Sequence, residues 1–168
     1  MNQRRRLMVP GMALLGLAIV ALPQSGFTQG NQPTRALATS VFQLNLAKSK
    51  FSPGPPPKSQ TVNYQGEGQN RKAAVVTIDA EGNPAASVFM ELVQDGKPHP
   101  VTGNPAFDAQ VGTIVDFYTT NLTRLKAGKV VQTGTAVLSQ DGKTSTITTT
   151  GTDANGRQFN NIAVYDKQ

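Results

Sequence analysis

FQLNLAKSKFSPGPPPKSQTVNYQ, residues 42–65, decides how the rest of the chain is read. Phe42, Leu44 and Leu46 alternate with Gln43, Asn45 and Ala47, and further on Val62 and Tyr64 alternate with Thr61, Asn63 and Gln65. Successive side chains on a strand point to opposite faces, so both ends of the stretch read as strands with one apolar face. Between them stand Pro53, Pro55, Pro56 and Pro57. Prolines cannot donate ladder hydrogen bonds, and their fixed φ favours an extended link. The expectation is strand, stiff connector, strand. A Pro-x-x-Pro segment also serves as a peptide ligand elsewhere, but a spacer explains these prolines without a receptor.

The run LNLAKSKFSPGPPPKS at 44–59, together with PVTGNP at 100–105, DGK at 141–143 and NNIAVYDKQ at 160–168, resembles a group of small secreted bacterial proteins that are lipocalin-like. The resemblance spans about residues 41–168. It implies a lipocalin-like, antiparallel up-and-down β-barrel and an export address; it implies no activity. Lipocalins usually carry Gly-x-Trp on the first strand. This chain has no Trp, and Phe42 stands where that aromatic is expected.

Working outward, residues 1–30 read as a signal peptide. Arg4, Arg5 and Arg6 precede an apolar run over 12–22. That run is shorter than the roughly 20 residues a membrane span needs. Thr28-Gln29-Gly30 places the cut after Gly30, whereas Ala36-Leu37-Ala38 offers a second position after Ala38. The arginines suit Sec export and also resemble a twin-arginine signal, and a permanent N-terminal anchor is the competing reading. Residues 31–40 are polar and unpatterned, a flexible leader before a single β-barrel domain over 41–168. The expected address is periplasmic or secreted, with no stable membrane span after signal cleavage. The absence of Cys excludes disulfides, thiolate nucleophiles, Cys-ligated zinc and a lipoprotein anchor. Loss of the three signal arginines lowers the net charge from +6 to +3. A dedicated nucleic-acid binder would cluster its basic residues, so no nucleic acid is expected as a partner. The oligomeric state is left open.

After residue 65 the chain alternates between β-rich runs and turn signals. Strands are expected over 73–78, 87–94, 111–118 and 121–127, then over 129–139, 144–150 and 158–165 as a meander. A short helix over 87–94 and an amphipathic helix over 107–126 are the alternatives. Asp79 to Pro84, Asp95-Gly96-Lys97, Gln140 to Lys143 and Asp153 to Arg157 supply turn chemistry. Pro98, Pro100 and Pro105 imply an edge strand or an ordered loop. About eight to ten short strands with no firm helix make an all-β, antiparallel protein. The pattern alone admits barrel or sandwich; the resemblance selects the barrel.

Chemistry is sparse. His99 is the one histidine, flanked by prolines and far from any nucleophile motif. Asp79, Glu81 and Asn83 alternate as calcium ligands can, but lack the twelve-residue ligand pattern of an EF-hand. Glu91 with Asp95, or Asp108 with Asp116, are candidate acid/base pairs whose separation the sequence does not set. Asn121-Leu122-Thr123 has the form of a glycosylation acceptor. No phosphate-binding, dinucleotide-binding or serine-hydrolase motif occurs. The chain is therefore read as a non-enzyme with no catalytic residue, no metal and no cofactor. What remains is binding: a barrel rich in Thr, Val and Ala can hold a small, partly apolar ligand. Phe42, Leu44, Tyr64, Phe89 and Phe117 are expected at the cavity wall. The competing reading is an envelope structural or protein-interaction module whose same residues fill a solid core.

Overall fold

The computed structural model describes residues 39–66 and 70–168. The signal expected over 1–30, both cleavage positions and most of the leader therefore lie outside the described residues. Among the described residues the strands are β1 (Thr39–Leu44), β2 (Lys50–Ser52), β3 (Ser59–Gln65), β4 (Asn70–Ile78), β5 (Val88–Val93) and β6 (Asp95–Thr102). They continue as β7 (Ala109–Ile114), β8 (Thr119–Lys126), β9 (Lys129–Leu138), β10 (Thr144–Thr152) and β11 (Gln158–Lys167). β1 pairs with β3, each strand from β3 to β11 pairs antiparallel with the next, and β1 closes the ring on β11. The protein is thus an all-β, up-and-down barrel of ten strands, with β2 lying outside the ring against β11. Closure runs through Phe42↔Lys167, Gln43↔Asp166 and Leu44↔Tyr165, and it is this pairing that rules out an open sandwich. Among the described residues no helix is long and apolar enough to cross a membrane.

The deciding stretch folds as strand, connector and strand, with one change. β1 begins at Thr39, inside the expected leader, and Ser40 is already buried. It stops at Leu44, because the Asn45 side chain accepts a hydrogen bond from the Lys48 backbone N–H at 3.1 Å and caps a single 3-10 turn over Leu46–Lys48. An Asn side chain competing for backbone donors is a common way to end a strand. Leu46, expected on the apolar face, is turned outward and is 42% exposed. β2 then rejoins β11 with a shifted register, Lys50 opposite Ile162. The prolines carry the chain across to β3, which lies back along β1 with Val62 opposite Phe42.

Three other boundaries follow from local chemistry. The strand expected over 111–118 ends at Ile114, because the Asp116 carboxylate accepts from the backbone N–H groups of both Tyr118 and Thr119 at 2.8 Å and turns the chain there. The helix alternatives over 87–94 and 107–126 give way to strands, as β-branched and Thr-rich content favours. Pro98 and Pro100 lie in β6, which pairs with β5 on one side and β7 on the other and is therefore an interior strand, not the expected edge. The prolines still leave their mark: β5 and β6 pair only through Phe89↔Thr102 and Met90↔Val101.

Inside the barrel, Phe42, Leu44, Val62, Ala73, Leu138, Ala163 and Tyr165 form the buried apolar cluster. Phe42 is its centre, 1% exposed and edge-on to Tyr64 with ring centroids 5.6 Å apart. On β9, Gly134 lets the strand close on β10, where any Cβ would collide with the Thr148 carbonyl.

Candidate ligand cavity

The cluster around Phe42 fills only part of the interior. The rest is a cavity of about 560 Å³. Eight strands enclose just enough room for their own side chains, so ten strands leave more. Small inward residues widen it further: Ala73, Ala136, Ala163, Ser145 and Thr149 all line the space. Val62, Val75, Val88, Met90, Leu122 and Ile147 supply the larger apolar wall. The segment from Gly103 to Phe107 also lines it, joined by Ala85 and Ala86.

Strand alternation sets which side chains face inward. On β5, Val88, Met90 and Leu92 line the cavity, so Phe89 between them points out and is 55% exposed. On β4 the inward set is Arg71, Ala73, Val75 and Thr77; on β8 it is Thr120, Leu122 and Arg124. Of the residues expected at the wall, Phe42 and Tyr64 are brought together there. Leu44 is buried in the apolar cluster but lies off the wall. Phe89 and Phe117 must be corrected to the outside, Phe89 by its phase on the strand. Phe117 sits in the turn between β7 and β8, stacked edge-on against Tyr118 with centroids 4.8 Å apart.

The polar groups of the interior are bound to one another. Arg124 donates from Nε to Gln110 Oε1 at 3.2 Å and from a terminal nitrogen to Gln132 Oε1 at 3.0 Å. Its guanidinium also lies over the Phe107 ring, 4.7 Å from the centroid, a cation–π contact. Gln94 donates to Thr120 at 2.7 Å, and the Tyr165 hydroxyl donates to Gln60. Burial pushes the Tyr165 hydroxyl well above the ordinary phenol range, with the neighbouring Tyr64 adding to it, so it stays neutral. Arg71 is 5% exposed, and its Nε is buried without an acceptor among the described residues. Burial lowers the pKa of both arginines from the free value. A guanidinium nonetheless keeps its proton in a protein.

Four of the carboxylates considered for catalysis or metal binding are engaged elsewhere. Asp79 accepts from the backbone N–H groups of Gly82 and Asn83, each at 2.7 Å, which spends it on the turn. Glu91 faces Lys72 at 3.9 Å, Asp95 pairs with His99 at 2.9 Å, and Asp108 accepts from the Ala127 N–H at 3.0 Å. Neither His99 nor any of these four lines the cavity. The sequence reading missed Arg71, Arg124 and Phe107. For the arginines the signal was present: each stands in phase with the small or apolar residues of its strand, Arg71 with Ala73 and Val75, Arg124 with Leu122. No family model, curated protein or solved structure matches this chain.

Proposed function

We propose that the protein is a binding protein for a small, partly apolar molecule held inside the barrel, and that it works after export, in the periplasm or outside the cell. The observation that supports binding is the cavity of about 560 Å³, within the size range of ligand sites and walled by aliphatic side chains with a few convergent polar groups. The export part of the reading rests on the N-terminal sequence and on the resemblance to secreted lipocalin-like proteins. No catalytic role is proposed for His99, which is tied to Asp95 and does not line the cavity.

Native mass spectrometry of the protein purified from its own host tests this reading. A bound small molecule is expected, and Ala136→Phe, which grows a ring into the cavity, is expected to lose it while circular dichroism keeps its β signature. Protein that arrives bare and takes up no twelve-carbon amphiphile, neutral or anionic, would overturn the proposal.

A further inference from the structure

The cavity wall carries two arginines and, among its described residues, no carboxylate. Among the described residues no carboxylate pairs with Arg124: its hydrogen-bond partners are the amides of Gln110 and Gln132. Glutamate at either position would have the same shape and would complete an ion pair, so the choice of Gln leaves the positive charge in place. Gln60 and Gln94 also line the cavity, again as amides. Arg71 goes further, with a buried Nε that donates to no described group. An unpaired cation surrounded by protein is among the costliest arrangements a fold can hold, and in such surroundings its field on an incoming anion is strong.

We infer that the ligand is an amphipathic anion, an alkyl carboxylate whose head group accepts from Arg71 in the field of Arg124 while its chain lies along the aliphatic wall. The inference rests on the binding reading above and adds the charge and the chemical class. A guanidinium fork matches a carboxylate in shape as well as charge. Arg71 and Arg124 stand on β4 and β8 and line the same cavity, together with Tyr64. The aliphatic residues Val62, Val75, Val88, Met90 and Leu122 give the hydrocarbon chain its surroundings.

Laurate and dodecanol share a chain and differ in charge at the head, so their dissociation constants for the purified protein isolate the head group. Laurate is expected to bind at least about tenfold tighter, the scale of one hydrogen bond to a charged group. In Arg71→Met that preference is expected to fall to near one, and Arg71→Lys to restore part of it. Gln132→Glu, which sets a carboxylate beside Arg124, is expected to erode the same preference without touching Arg71. Equal affinities for the two probes in the unmodified protein, or a preference that survives both Arg71→Met and Gln132→Glu, would overturn the anion assignment and leave the binding reading standing. Uptake of neither probe would defeat both.

Discussion

Replacing Arg71 by Met removes a cation that the barrel encloses almost completely, and keeps most of the stem's volume. The ligand-free protein is expected to gain about 1–2 kcal/mol of stability, because an uncompensated buried charge costs more than the methionine that would replace it. Arg124→Met should act in the opposite direction. It strips the donors from the Gln110 and Gln132 carbonyls, and a loss of about 1–3 kcal/mol follows from leaving buried acceptors unpaired. Urea unfolding of the two variants side by side checks the contrast; destabilisation by Arg71→Met as well would mean that Arg71 is as well satisfied as Arg124. At this scale the sequence was legible only in part. The alternation around Phe42 and Tyr64 placed those rings inward. Aromatic identity alone misplaced Phe89 and Phe117, whose positions depend on strand phase and on the Asp116 turn.

Among the elements, the seam between β5 and β6 is the thinnest in the barrel. Its register runs only over Phe89↔Thr102 and Met90↔Val101, whereas β10 and β11 pair without interruption from Thr144↔Asp166 to Thr152↔Gln158. Pro98 and Pro100 withhold donors from β6, so this strand opens at lower free energy than the meander. Hydrogen exchange is expected to reach the amides of β5 and β6 well before those of β10 and β11; equal protection on both seams would contradict it. The turns of the meander were the most readable elements. Asp141 accepts from the Lys143 N–H and Asp153 from the Asn155 and Arg157 N–H groups, with Gly142 and Gly156 at φ 70° and 78°. An Asp-Gly or Asn-Gly pair carries that geometry in its own covalent structure, so no distant residue is needed to place it. The 3-10 turn after β1 was not readable in the same way. Asn45 also donates to Asp166 at 2.7 Å, a partner 121 positions away that exists only once the barrel has closed.

For the molecule as a whole, acid should act through the carboxylates that fasten its turns and its closing seam. Asn45 and then Lys48 donate to Asp166 and hold it below the ordinary carboxylate range. Asp141 is lowered by Ser139 and the Lys143 N–H, Asp79 by the Asn83 and Gly82 N–H groups, and Asp153 by those of Arg157 and Asn155. Each group binds its proton less readily folded than unfolded. The stability they contribute is therefore complete above the unfolded value of about 3.9 and is lost as pH falls through the lower folded values. The urea midpoint should be level above about pH 5 and drop steeply below about pH 4, with Asp166→Asn blunting the fall. A midpoint insensitive to pH over that range would show that these contacts persist in the unfolded chain.

What the sequence by itself determined is everything that depends on neighbours along the chain: the alternation that makes strands, the Asp and Gly that make turns, the prolines that interrupt ladders. These are set by covalent geometry and by the period of two residues along a strand. What only the tertiary structure decided is the pairing of β1 with β11, and with it the closed interior. Ring closure joins residues more than 100 positions apart, and no local pattern records it. The cavity and the two arginines on its wall, which face no described carboxylate, follow from that closure. An arginine in the inward phase of a strand becomes a buried charge only when ten strands have come round to enclose it.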